Sequence, residues 1–302
     1  MMLSTLCAWI LGALAPTPGT HALAGELVSF AAVEALPERI LFTDRFAYRQ
    51  LLISGRIESG DSVDLTRVAR LVAESPLVEV DARGLVVPRA DGIGTLEFDV
   101  EGTTLSIPVE VRGMSAARDV SFVRDVMPVL SRAGCNAGTC HGSANGKKGF
   151  KLSLRGYDAA ADHVALTDDL AGRRFDRVEP MKSLFLLKPT AAIPHEGGER
   201  LRAGSRKYEM LLSWIEHGAH YQAASRPTSL QVLPADATLG KPGQEQQVAV
   251  LASYPDGSTR DVTREAFIES SDADVVRADE RGLLTALRRG EEPQGRPCRG
   301  RR

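Results

Sequence analysis

The chain has 302 residues, 43% of them apolar and 25% charged, with a formal net charge of -2 and an aromatic content of 5%. That length supports more than one domain with a real core. The near-neutral charge excludes a general pull toward nucleic acid or anionic membrane, and the few aromatic rings leave little for stacking on bases.

The first residues read as an export signal. Leu3 to Leu14 is apolar apart from small residues, Pro16 and Pro18 follow, and Ala22-Leu23-Ala24 has the A-x-A form of a cleavage site. The apolar run is too short to span a bilayer. Met1 to Thr5 carries no Lys or Arg, so an uncleaved N-terminal membrane tether stays open beside cleavage after residue 24. Both versions place the protein in the periplasm or at the cell surface. Cys7 falls inside the signal. Cys135, Cys140 and Cys298 remain, and this is not a disulfide framework for a chain of this size.

Residues 36–67 align without a gap with 233–264. Leu36-Pro37 matches Leu233-Pro234, Gly60 matches Gly257, and Asp64-Leu65-Thr66-Arg67 matches Asp261-Val262-Thr263-Arg264. After a one-residue shift, Asp81 to Leu85 matches Asp279 to Leu283. Both copies read as β, with short apolar runs at Leu51 to Ser54 and Gln247 to Val250, and turn clusters at Glu58 to Asp61 and Pro255 to Ser258. In the first copy, Gly94–Val100 and Thr104–Val111 add two alternating strands around Glu101-Gly102. Short strands spaced by turns predict a β-sandwich over 25–113 and a second, incomplete one over 227–290. Ala278 to Ala286 resembles the closing pattern of group 2 bacterial Ig-like domains. The resemblance implies spacer or adhesion modules. Pro, Gly and Arg dominate 291–302, which reads as a disordered basic tail of a chain whose further C-terminal domains are missing.

The segment 114–222 is of another kind. Phe122, Val126 and Leu130 recur at helical spacing, with Pro128 expected to bend or end the helix early. Ser205–His217 predicts a closing helix with Tyr208, Leu211, Leu212 and Ile215 on its apolar face and Gly218 as its stop. Between them stands Cys135-Asn136-Ala137-Gly138-Thr139-Cys140-His141. Two thiols that add across the vinyl groups of a haem, followed by a His beneath the iron, are the chemistry of a c-type cytochrome. The common spacing is C-x-x-C-H; here two extra residues intervene, and the small Ala137 and Gly138 let the loop bulge. A plain Cys135–Cys140 disulfide and half of a zinc site completed by His141 and a distant His are the rival readings.

The segment resembles the planctomycete-type cytochrome c domain. The matching pieces are Gly134 to Gly142, Gly149 to Asp158, Ser183 to Thr190, Pro194 to Gly198 and Trp214 to Ala219. That family accepts the longer spacing and occurs in large exported proteins beside Ig-like repeats. The resemblance implies one covalent haem c on Cys135 and Cys140, with His141 as proximal iron ligand. His195, in the tight loop Pro194-His195-Glu196-Gly197-Gly198, is the first candidate for the sixth ligand. Met181 is the weaker alternative. His163, His217 and His220 are expected to face solvent, and Met210 to fill core. Lys147, Lys148, Lys151 and Arg155 form a basic stretch that either steers an acidic redox partner, holds haem propionates, or is a solvated face.

The fold expected is therefore mixed: Ig-like β-sandwich repeats flanking a small, mostly α-helical cytochrome domain. The function expected is electron transfer to a partner protein or an appended domain, with no nucleic-acid partner. A cell-surface structural or adhesion role, with a disulfide-stapled central domain, is the alternative. Peroxide chemistry at an open iron is weaker, because His195 argues against a vacant position. No hydrolase triad, phosphate loop or dinucleotide motif marks an enzyme.

Overall fold

The computed structural model describes residues 30–290, apart from 59, 117 and 223–225. The export signal, Cys7, the basic tail and Cys298 lie outside the described residues. The chain is a mixed α/β, multidomain assembly of several small sheets and short helices.

The first β unit comprises β1 (Ala32–Leu36), β2 (Ile40–Phe42), β3 (Arg49–Gln50), β4 (Leu52–Arg56), β5 (Ser62–Asp64), β6 (Arg70–Leu71), β7 (Val78–Val80), β8 (Leu85–Pro88), β9 (Gly92–Val100) and β10 (Thr103–Val111). They form the sheets β1-β4-β5, β3-β8-β7 and β2-β10-β9-β6. The run that the sequence marks at Leu51 is a switch point. Arg49-Gln50 pairs with β8, and after Leu51 the chain pairs with β1 and β5 in a different sheet. Alternation in β9 and β10 sends Leu96, Phe98, Val100, Ile107, Val109 and Val111 inward. Leu96 stands opposite Ile107, and both join Ile53, Leu65 and Val86 in one apolar cluster.

The central segment begins with a π-helical turn, Phe122–Val126, that runs into α1 (Met127–Arg132). Pro128 does not end this helix, and the change from π to α geometry falls just before it. It stands near the start of α1, directly after the π turn, a place where proline is tolerated. Next come α2 (Ala159–Thr167), α3 (Asp169–Gly172), α4 (Leu184–Leu187) and α5 (Arg206–Glu216). The α5 start follows its sequence signal: the Ser205 side chain accepts from the Tyr208 N–H. Its apolar face carries Tyr208, Leu211, Leu212, Trp214 and Ile215 into a second cluster with Phe122, Val126, Leu130, Leu166 and Leu186. Met210 is buried there as well. His163 departs from its expected place in solvent. Its ring packs 5.0 Å from Phe122 and 5.4 Å from Tyr221, and its Nε2 meets the Ala219 carbonyl at 2.7 Å. His217 and His220 are exposed.

The second β unit repeats two of the three sheets. It comprises β11 (Ser229–Leu233), β12 (Glu245–Gln247), β13 (Ala249–Ser253), β14 (Thr259–Asp261), β15 (Val276–Ala278) and β16 (Leu283–Ala286). Its sheets, β11-β13-β14 and β12-β16-β15, correspond to β1-β4-β5 and β3-β8-β7. The four-stranded sheet has no counterpart among the described residues. Equivalent bonds recur: Ile53 N–H donates to Thr66 Oγ1, as Val250 N–H does to Thr263 Oγ1. Gly84 and Gly282 both have positive φ and lie against a backbone carbonyl, of Leu51 and Val248 respectively, which leaves no room for a Cβ.

The two units are joined by a reciprocal contact. Asp64 Oδ2 accepts from the Gln247 N–H at 2.5 Å, and Asp261 Oδ2 accepts from the Gln50 N–H at 2.6 Å. The other oxygen of each carboxylate accepts from the Thr N–H two residues on, Thr66 or Thr263. Arg67 adds a 3.2 Å ion pair to Glu245, and Arg83 one of 3.1 Å to Asp279. Tyr48 donates its hydroxyl to Glu265 and accepts from the Arg264 N–H. A buried donor stripped of its acceptor costs about 1–3 kcal/mol. Asp261→Ala strands the Gln50 and Thr263 N–H groups together, so it is expected to lower stability by about 2–4 kcal/mol in thermal unfolding. A loss within about 0.5 kcal/mol, the usual range of a surface change, would show that the contact does not hold the units together.

Candidate functional site

The site grows out of the end of α1. The chain turns at Gly134, the Cys135 N–H donates to the Leu130 carbonyl, and the His141 N–H donates back to the Cys135 carbonyl at 3.0 Å. The longer C-x4-C spacing is taken up inside this turn, where the N–H groups of Cys140 and Gly142 both donate to the Ala137 carbonyl. Gly142 is required there, because a Cβ would run into the Asn136 carbonyl. Asn136 is buried, gives its Nδ2 to Ser131 Oγ at 2.9 Å, and accepts at its carbonyl from the Arg155 N–H. The His141 carbonyl accepts from the Leu152 N–H at 2.8 Å. The motif is thus stitched on both sides to buried structure.

The loop faces a cavity of about 1000 Å³, at the upper end of the range of roughly 300–1,000 Å³ that holds small molecules and cofactors. Its apolar wall includes Val129, Leu130, Leu152, Leu166, Phe185 and Leu211. Cys135, Cys140, His141 and His195 all line it. Met181 is not among the lining residues; it is exposed on a short 3-10 turn. Of the basic stretch, Lys147 and Lys148 reach the cavity, whereas Lys151 and Arg155 are not part of its wall.

Both imidazoles are held by the same device. His141 Nδ1 lies 3.0 Å from the Phe150 carbonyl and His195 Nδ1 2.8 Å from the Gly198 carbonyl. A carbonyl only accepts, so Nδ1 carries the hydrogen and Nε2 keeps its lone pair. This is how iron- and zinc-binding histidines are oriented. The His141 ring is further fixed against Phe150, at 4.4 Å between centroids. Burial holds the His141 imidazole below its ordinary value, and His195, Arg174 and Lys147 push the same way against the Phe150 carbonyl. The neutral ring is the form that ligates a metal.

Cys135 and Cys140 are both free thiols, and both are half-buried. Burial pushes the Cys135 thiol up to about 11, with Cys140 adding to the rise and Arg200 opposing it. Among the described residues, no three His, Cys, Asp or Glu side chains group closely enough to hold a metal ion by themselves, so the zinc reading finds no ligand set there. No family model matches the chain, and no curated protein does; the site therefore stands on its own residues. Among the described residues no helix is long and apolar enough to cross a membrane.

Two contributors carry no signal in the sequence. The Phe150 carbonyl that orients His141 is a backbone group, set in place by the two-way Lys147–Phe150 bridge. Arg174 reads as one more charge in Arg173-Arg174, yet it is buried in the cavity wall.

The raised thiol yields a measurement. In the reduced chain with no ligand bound at pH 8, Cys135 is expected to react with iodoacetamide roughly 100-fold more slowly than a thiol near 8.5. Its rate should rise about tenfold per pH unit between 7 and 9, since the thiolate is the nucleophile. Peptide mass spectrometry after timed labelling reads this. Labelling at the rate of a free thiol would mean that the Cys135 side chain is not sequestered.

Proposed function

We propose that this chain is an exported c-type haem protein that moves electrons, working in the periplasm or at the cell surface. Cys135 and Cys140 are the thioether anchors of one haem c, His141 is the proximal iron ligand and His195 the sixth. The observation that carries this reading is convergence. Two thiols and two imidazoles with free Nε2 atoms, drawn from sequence positions as far apart as Cys135 and His195, line one apolar cavity of cofactor size. The resemblance of 114–222 to planctomycete-type cytochrome c domains points the same way.

The bound haem would supply reversible one-electron chemistry at iron. The chain's own residues do the rest. The Phe150 and Gly198 carbonyls fix both imidazoles in the ligating tautomer. Leu130, Leu152, Leu166 and Phe185 exclude water from the wall, and a dry, apolar shell is a determinant of redox potential. Lys147 and Lys148 place positive charge at the same cavity, suited to an acidic redox partner. With His141 and His195 both held for the iron, this reading makes the protein an electron carrier. Its electrons go to a separate partner protein or to an appended C-terminal domain. The flanking β units are, in this reading, Ig-like sandwiches that hold the haem segment away from the membrane or its tether.

A second reading has its own support. The β units are locked together by buried carboxylates, and Cys140 is close enough to Cys135 to help push its thiol up. A cell-surface structural module with a Cys135–Cys140 disulfide would use the same features. A pyridine haemochrome spectrum separates the two, taken on protein exported with a cytochrome c maturation system and extracted with acid-acetone. The expected result is a c-type α-band that stays with the polypeptide and is lost in Cys140→Ala, with a changed ligation spectrum in His195→Ala. A colourless chain carrying a Cys135–Cys140 disulfide would establish the structural reading instead.

A further inference from the structure

The cavity wall is strongly unbalanced in charge. Lys147, Lys148, Arg173, Arg174, Lys188 and Arg200 line it, against a single carboxylate, Glu196. Glu196 is taken by Lys148 at 3.8 Å. Two of the remaining cations have backbone partners in the loop that carries His195: Lys188 Nζ donates to the Pro194 carbonyl and Arg200 Nε to the Gly197 carbonyl. Arg174 differs from all of them in being buried, at 8% exposure.

Arg174 is held rigidly. Its Nη1 donates to the carbonyls of Ala165 at 2.8 Å and Asp169 at 3.3 Å, and its guanidinium lies over the Phe150 ring at 4.2 Å. Among the described residues it makes no ion pair. A guanidinium stays charged in a protein, and a buried charge is costly unless paired. Such a group, fixed by one edge and by a ring face, near enough to Asp169 to feel its charge but with no carboxylate in ion-pair contact among the described residues, presents a preorganised fork to an anion. Its planar fork matches a carboxylate in geometry.

We propose that Arg174 receives a carboxylate of the molecule that fills this cavity, which on the haem reading is a haem propionate. The apolar wall takes the porphyrin face, and the excess of cations takes its two acidic side chains. Arg174 also stacks on the residue whose carbonyl orients His141. One side chain therefore couples the seating of the propionate to the alignment of the proximal ligand, which makes it a positioning residue.

The test uses the full chain in two forms. In exported, haem-loaded protein, Arg174→Gln is expected to keep its haem, since the thioethers are intact. Its reduction potential is expected to fall, because a positive charge that disfavours the oxidised iron is lost, and Arg174→Lys should restore part of it. In haem-free chain, protoporphyrin IX is expected to bind more tightly than its dimethyl ester by roughly tenfold or more, the worth of a charge-assisted bond. Quenching of tryptophan fluorescence reads the binding. Arg174→Gln should shrink that preference several-fold. Haem-loaded Arg174→Gln with an unchanged potential, or an ester preference unchanged by the substitution, overturns the role of Arg174 and leaves the haem reading standing. A wild-type chain without haem that binds neither porphyrin overturns both. If Arg174→Gln fails to fold, equal binding of acid and ester by the wild type is the overturning result.

Discussion

The structure depends on two buried carboxylates that accept backbone N–H groups across the chain. Asp64 and Asp261 each hold their own turn with one oxygen and the opposite β unit with the other. A carboxylate between N–H donors is a charge-assisted arrangement, roughly twice as strong as a neutral hydrogen bond. Its directionality fixes not only the distance between units but their relative rotation. Because the units flank the central segment, clamping them also brings the two ends of that segment together. Asp125 then ties the segment to the second unit. Its buried carboxylate accepts from Arg118, from the Ser121 N–H and from Arg260 of β14. From the first unit, Phe46 enters the central core, and Arg206 of α5 donates to its carbonyl.

The central segment uses this support to afford a cavity beside a well-packed core. Trp214, with Phe122, Phe175 and Phe185 around it, forms an aromatic wall, while the side facing Cys135 and Cys140 stays open. Four histidines of this segment show how environment assigns roles. His141 and His195 each commit Nδ1 to a carbonyl and keep Nε2 free. His163 commits Nε2 instead, inside an aromatic cage, and His217 bonds back to its own helix through Nδ1 at the Ser213 carbonyl. Only the first two lie on the cavity.

Much of this organisation could be read from residues alone. The repeated Asp-Leu-Thr-Arg and Asp-Val-Thr-Arg runs mark equivalent turns, the alternation of β9 and β10 follows from their inward Leu, Phe, Ile and Val residues, and Ser205 caps the start of α5 while Gly218 follows its last cap, His217. Cys135, Cys140 and His141 stand out by type and spacing and His195 through its loop and the family resemblance, and all four lie on one cavity. What stayed hidden shares a physical character. The partner of each key aspartate is a backbone N–H in the other unit, and backbone groups leave no mark on composition. Pro128 reads as a helix breaker until the preceding π turn shifts its position. Arg174 and His163 look like surface residues because local pattern does not reveal which neighbours close over them. Met181 is the weaker candidate on its thioether chemistry, and residue type alone does not distinguish the exposed turn it occupies from a pocket wall.

The reciprocity of the two aspartates has a meaning of its own. Each β unit offers the same donor and the same acceptor, with the roles exchanged. That is the geometry of an isologous dimer about a two-fold axis, here folded into a single chain. The segment between the units acts as the linker of such a dimer and makes their pairing intramolecular. Duplication of one self-pairing unit, followed by growth of the connection into the cavity-bearing segment, would leave this arrangement.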